Sequence, residues 1–179
     1  MTTIDDVTGK SVSSKIEWIE VFPFGVAMSA SNTRPVMIFK DKTEKRVLPV
    51  WLSHLDAGIA VTQGQSAYST AYRAEGSPHE VADAILSRLN IKLDRCLFKE
   101  VRGHHQFVEL HFISEGRRKK SEEVLEMRAD DAISFCLRSG CKFFATIEYM
   151  ERSRVLEGEM LMAGVLRDTN VVNPHPYLN

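Results

Sequence analysis

Hairpins dominate this sequence, and no strand–helix–strand alternation is sustained, which fits a mixed α+β fold better than a doubly wound one. Pro35-Val-Met-Ile-Phe39 and Arg46-Val-Leu-Pro-Val-Trp-Leu52 flank a charged turn, Lys40–Lys45. The long segments Ile91–Val101 and Gln106–Ser114 join through Arg102-Gly103-His104. Glu122–Met127 follows a basic turn, Gly116-Arg-Arg-Lys-Lys120. Such β-rich runs bounded by Gly and charged clusters read as antiparallel pairs. Upstream, Ile16, Trp18, Glu20 and Phe22 alternate with Glu17, Ile19 and Val21 until Pro23 interrupts, and Val26–Ser29 reads as a separate short strand. The fold class that follows is α+β, an antiparallel-rich mixed sheet built from hairpins and packed with about three helices.

The first helix runs from His54 to Thr62 and stops near Gly64. A second covers Pro78–Leu89, where Val81, Ile85 and Leu89 recur every four residues as one buried stripe. The third covers Ala129–Ser139, with Ala132, Ile133, Cys136 and Leu137 inward and Gly140 as its stop. A further helix starts after Thr146. Ser53-x-x-Asp56 and Ser77-Pro-x-Glu80 have capping-box spacing, and Asp131 takes the third position if the third helix starts after Arg128. Three acids thus sit at three helix N-termini, where the dipole favours each by about 0.3–1 kcal/mol. A hairpin followed by a helix with Asp56-Ala57 is echoed by a hairpin followed by a helix with Asp131-Ala132, a faint trace of a duplicated hairpin–helix unit. The division expected is a tail over 1–14, a main domain over 15–146, and a helical extension and tail over 147–179. Met150, Leu156, Met160 and Leu161 in that extension form an apolar surface for the same domain or for another subunit, with the partner chain the favoured reading.

Composition narrows the partners. The 179 residues carry 23 Lys+Arg against 24 Asp+Glu, a net charge of −1, so no overall field draws the chain onto nucleic acid, and such binding needs a local patch. No apolar run approaches the ~20 residues of a membrane span, and the start of the chain lacks a secretory pattern. Cys96, Cys136 and Cys141 match no zinc or redox spacing and read as buried thiols of a cytoplasmic protein.

Generic motifs are absent: no phosphate loop, no His-Glu-x-x-His, no Gly-x-Ser-x-Gly, no Cys-x-x-Cys. His79 and Asp83 lie four apart on one helix face, as a base-and-orienter pair or a shared metal site would, although a surface pair is the commoner use of that spacing. His54 follows a helix cap, His104 and His105 adjoin a turn glycine, and His111 points to the strand face opposite Val108, Leu110 and Phe112. Trp18 and Trp51 belong to apolar strands and read as core.

Taken in chain order, four segments resemble the bifunctional nuclease domain family. They are Gly25-Val26 with Arg34-Pro-Val-Met-Ile38; Arg46-Val-Leu-Pro-Val-Trp-Leu52 with Asp56-Ala57-x-Ile59; Pro78-His79-Glu80-Val81; and Arg128-Ala-Asp-Asp-Ala-Ile133 with Leu137-Arg138-x-Gly140. Ser53, Asp56 and Ala129 stand where the family has glycine, glutamate and proline. The resemblance spans about Ile16 to Thr146. It implies an α+β domain that self-associates as a homodimer or other homo-oligomer and hydrolyses RNA and DNA. On that analogy Asp56, Glu80 and Asp131 hold a divalent cation, Mg²⁺ or Mn²⁺, His79 serves as acid or base, and Arg128 or Arg138 binds the phosphate. Asp131 and Arg138, seven apart, would line one cleft. The competing expectation is a non-catalytic, self-associating binding module whose acids serve only as helix caps.

Overall fold

The structure is a computed structural model and describes residues 16–28, 34–68, 79–115 and 120–155. Seven strands form one sheet: β1 (Ile19–Met28), β2 (Pro35–Asp41), β3 (Val47–Trp51), β4 (Ile91–Arg102), β5 (His105–Glu115), β6 (Lys120–Arg128) and β7 (Lys142–Ala145). The helices are α1 (His54–Tyr68), α2 (Glu80–Arg88) and α3 (Ala129–Ser139), with a further helical stretch over 147–155. The spatial order is β3-β2-β1-β7-β4-β5-β6, antiparallel throughout except for the β4–β7 pair. The mixed α+β class expected from the hairpins is the class observed. The echo in the sequence has its counterpart in space, since β1-β2-β3-α1 and β4-β5-β6-α3 are each a three-stranded meander closed by a helix. Short β7 joins the two meanders.

Side chains in β2 alternate between two clusters, as the two-residue period of a strand requires. Met37 and Phe39 enter the main core, while Val36 packs with Trp51 on the opposite face. Phe39 meets Phe98 at 5.3 Å and Phe143 at 5.0 Å between ring centres, so β2, β4 and β7 share one aromatic node. Ala57 and Ala60 of α1 and Ala129, Ala132, Ile133 and Cys136 of α3 close that core from the helical side. Their small side chains allow the two helices to lie close together. Tyr149 and Met150 are buried in the same core, so Met150 packs within its own chain and not on a partner. Leu156, Met160, Leu161 and the tails lie outside the described residues.

The sheet is curled, and one side chain pins the curl. Gln106, at the start of β5, accepts a hydrogen bond from the Trp51 amide at 3.0 Å through Oε1. Through Nε2 it donates to the Pro49 carbonyl at 2.8 Å and to Ser153 Oγ at 3.0 Å. The tip of the β4–β5 hairpin is thereby held over β3, three strands removed from β4 in the sheet.

Several sequence expectations are corrected. Pro23 does not end the first strand: β1 runs on to Met28, taking up the missing N–H in a register shift between Pro23 and Gly25. The β1–β7 ladder covers Ile19–Val21 and stops short of Pro23, so the proline takes no place in it. Gly64 does not stop α1, which continues to Tyr68; a glycine inside a helix costs about 1 kcal/mol without breaking it. Strand β7 had no sequence signal of its own beyond Phe143 and Phe144. The stripe on α2 is the plainest reversal, since Val81, Ile85 and Leu89 are 69%, 52% and 59% exposed and no residue of α2 is buried. Helical periodicity identifies an apolar face without identifying what covers it. Helix α2 begins at Glu80, with His79 as its cap in a helical backbone conformation. Ser77, Pro78, most of the loop 65–77 beyond Tyr68, and the basic residues 117–119 lie outside the described residues. Helix α3 ends where expected, with Gly140 left-handed at φ 64°.

Candidate active site

Three helices contribute to one cluster around His79. At the start of α1, Ser53 is the cap: its Oγ accepts from the Asp56 amide at 3.0 Å and donates to the Asp56 carboxylate. The capping spacing therefore holds, with the acid meeting the serine hydroxyl. At the start of α2, the His79 carbonyl accepts from the Asp83 amide at 3.0 Å, which closes the first turn and places both side chains on the face towards α3. From α3, Ser134 Oγ lies 2.9 Å from His79 Nε2, and the Phe135 ring meets the imidazole edge-on at 5.7 Å. Arg138, one turn beyond Ser134, reaches the Asp83 carboxylate at 4.0 Å. His79 and Asp83 thus each have a partner on the neighbouring helix, with the Asp83 side chain still 38% exposed.

The electrostatics of this imidazole are composite. Burial lowers the His79 pKa from its ordinary value, the Asp56 carboxylate raises it, and the Arg138 guanidinium lowers it again, for a net decrease. A histidine so placed is neutral near pH 7, the form that accepts a proton from a nucleophile. Asp56 and Arg138 come from different helices and act on the same ring in opposite senses.

The other expected site residues are placed differently. Glu80 is exposed at the start of α2. The Asp131 side chain is 59% exposed and that of Arg138 only 11%, so the seven-residue spacing leaves one in solvent and the other beside Asp83. Arg128 is held in a two-pronged pair with Asp130, with Nε at 2.8 Å from Oδ1 and Nη2 on Oδ2, and this hydrogen bonding raises its pKa. Asp131 sits 3.8 Å from the same guanidinium.

Asp56, Glu80 and Asp131 do not fit a divalent cation as a donor set. Among the described residues, no three His, Cys, Asp or Glu side chains gather closely enough to hold one. Asp56 is engaged by Ser53, and Asp131 lies beside Arg128. No step is therefore derived through a metal. The thiols are also unsuited to chemistry: burial pushes Cys136 up, and a hydrogen bond with Cys136, followed by burial, pushes Cys141 up.

Ser134, the residue that orients His79, was missed in the sequence. Its signal was present: Asp130, Ser134 and Arg138 recur at four-residue intervals, a polar line beside the apolar stripe of Ala129, Ala132, Ile133 and Cys136. A serine with no exposed surface in a helix core calls for a partner.

The model of the bifunctional nuclease domain matches residues 37–157, about two thirds of the chain. The chain belongs to the bifunctional nuclease domain family. The match runs from within β2 through the helical stretch after β7, leaving out β1 but including every residue of the His79 cluster. No curated protein matches the chain. No helix among the described residues is long and apolar enough to cross a membrane.

Proposed function

We propose that the protein hydrolyses phosphodiester bonds of RNA or DNA at the His79 cluster. The observation that carries this reading is the convergence of Asp56, His79 and Arg138, each from a separate family-like motif, on one half-buried imidazole. Neutral His79, oriented by Ser134 and Phe135, takes the proton of an attacking water as its oxygen bonds to phosphorus. The leaving oxygen departs with the electrons of the broken P–O bond and takes up a proton. Arg138 supplies positive charge near the developing oxyanion, and Asp83 and Asp56 hold Arg138 and His79 in balance. The protein works in the cytoplasm as a homo-oligomer on this reading.

A second reading has its own support. Asp56 is bonded to its own cap, as expected of a binding module whose acids only secure helix starts. Cleavage assays decide between the two. Purified wild type is given single- and double-stranded RNA and DNA, with Mg²⁺ or Mn²⁺ and then with a chelator, beside His79→Gln and Asp131→Asn. The hydrolase reading expects cleavage that His79→Gln lowers at least 100-fold at unchanged stability. Equal cleavage by wild type and His79→Gln would identify a contaminant and leave the binding module standing.

A further inference from the structure

The sheet ends in two edges of opposite character, β3 and β6. The β3 edge is closed. Pro49 lacks the N–H that a neighbouring strand would use, and its carbonyl accepts from the Gln106 side chain at 2.8 Å. The Trp51 amide donates to the same side chain at 3.0 Å, so one glutamine bonds this backbone as a further strand would. The β6 edge has none of these devices. Lys120–Arg128 is nine residues without proline, and its ladder with β5 runs from Phe107↔Arg128 to Glu115↔Lys120 with no bulge. No strand lies beyond β6 among the described residues. Long, regular edges of this kind are the ones that accept another strand.

Two apolar side chains on β6 stand uncovered, one on each face of the sheet. Leu125 lies opposite Leu110 of the core yet is 51% exposed, and Val124, opposite His111, is 52% exposed. Around them Glu122, Glu123 and Glu126 carry like charge, which restricts the register of any strand that pairs there. About a two-fold axis normal to the sheet, a second β6 pairs antiparallel and each face stays continuous. Among registers that keep at least half of the strand paired, centring the axis on Glu122, Glu123 or Glu126 sets that glutamate against itself. Centring it on Val124 sets Glu122 against Glu126 on both sides. Centring it on Leu125 sets Leu125 against itself, Val124 against Glu126, and Glu122 against Arg128 on both sides. Only this last register opposes unlike charges and no like ones. Glu122 meets Arg95 and His111 through Oε1, and Arg128 bonds Asp130 through Nε and Nη2. Oε2 of Glu122 and Nη1 of Arg128 thus make no hydrogen bond among the described residues, and the two side chains are 47% and 41% exposed.

We propose that β6 pairs antiparallel with β6 of a second copy of this chain, about a two-fold axis through Leu125, joining the two sheets into one. Leu125 meets its own copy on the core face, where directly opposed side chains lie about 4.5–5.5 Å apart. On the other face Glu122 of each copy meets Arg128 of the other. Backbone amides and carbonyls along the edge exchange hydrogen bonds, as in strand addition generally. This gives a face to the homo-oligomer of the reading above; it rests on that reading for the association and not for the hydrolysis.

Sedimentation equilibrium of the full-length chain tests the pairing, because the residue on the axis meets itself. Leu125→Lys and Leu125→Glu, both at an exposed position, place like charges across the axis. Each is expected to weaken dimerisation about a hundredfold or more, and an equimolar mixture of the two is expected to recover the dimer. Circular dichroism and the urea midpoint verify that each variant is folded. Should either unfold, Leu125→Cys carries the same test, since the three native thiols are buried. Mild oxidation then links two copies through position 125, whereas Val124→Cys, displaced from its own copy in this register, stays unlinked. A wild type that is monomeric at every concentration overturns the proposal together with the homo-oligomer. A wild-type dimer that both charged variants leave intact, that their mixture fails to recover, or that links through position 124 alone overturns this face and keeps the homo-oligomer. Cleavage by His79→Gln is a separate readout, so failure of the hydrolase reading is distinguishable from failure of this one.

Discussion

Replacing Ser134 by alanine removes one oxygen atom and tests the centre of the proposed site. Ser134 has no exposed surface and its hydroxyl lies 2.9 Å from His79 Nε2, so the change opens little volume and breaks that hydrogen bond. A neutral bond of this kind contributes about 0.5–1.5 kcal/mol, and a deeply buried orphaned group costs about 1–3 kcal/mol. His79 is only half-buried, so water can reach the ring and the loss belongs near the lower figure, about 1 kcal/mol. For a domain of this size that is a fall in Tm of about 2–4 °C. Urea unfolding measures it directly, with an unchanged m-value as the sign that the fold is intact. The effect on turnover is expected to exceed the effect on stability. An imidazole no longer fixed by Ser134 loses the alignment on which proton transfer depends, and kcat falls about tenfold or more. The conservative Ser134→Thr, which retains the hydroxyl, restores part of that loss. If Ser134→Ala cleaves nucleic acid at the wild-type rate with an unchanged pH profile, Ser134 does not position a catalytic base. If it unfolds the protein, with a loss above about 3 kcal/mol, the hydroxyl has a packing role that the hydrogen bond does not explain.

The remaining predictions concern charge, core and surface. His79 titrates below the ordinary histidine value in the folded chain, so the folded state binds its proton less readily than the unfolded state. This contribution to stability is complete above the unfolded value and is lost as pH falls through the window down to the folded one. Proton NMR should place the His79 midpoint below 6.5, with Arg138→Gln moving it up and Asp56→Asn moving it down; equal directions would contradict the arrangement of charges. Phe98→Ala, at a fully buried ring meeting Phe39 and Tyr149, is expected to cost about 3–5 kcal/mol by urea unfolding. Val81→Ala and Ile85→Ala, although equally apolar, are each expected to cost under about 0.5 kcal/mol in dilute solution, because their side chains are exposed. Losses of 2 kcal/mol or more at α2, which vanish on dilution, would reveal a covering partner.

Local chemistry made most of the fold legible. The β4–β5 hairpin has its turn where Gly103 sits, α3 has its stop at Gly140, and Asp131 occupies the third position after Arg128. Each of these depends on a few neighbouring residues. What escaped depends on distant ones. Pro23 reads as a strand break until the β1–β7 ladder is seen to stop short of it, and β7 itself is four residues whose place between β1 and β4 no local pattern records. The α2 stripe was misread for the same reason, since its period is real and its cover is a tertiary fact. In the site, His79 and Arg138 could be named from motif resemblance, whereas their pairing with Ser134 and Asp83 depends on single side-chain contacts between separate helices. The cation set failed to assemble because acids at separate helix starts were already engaged, Asp56 with Ser53 and Asp131 beside Arg128.

The two meanders give these separate facts a common cause. In each, three strands deliver a helix N-terminus to the same side of the sheet, and packing through alanines draws α1 and α3 together. Each start is balanced locally by an acid, and each also has cationic or donor groups close by. On α3 the polar line Asp130, Ser134 and Arg138 starts at the pair with Arg128 and ends on His79 and Asp83, so this one helix face fixes both the pairing at its own start and the orientation of the histidine.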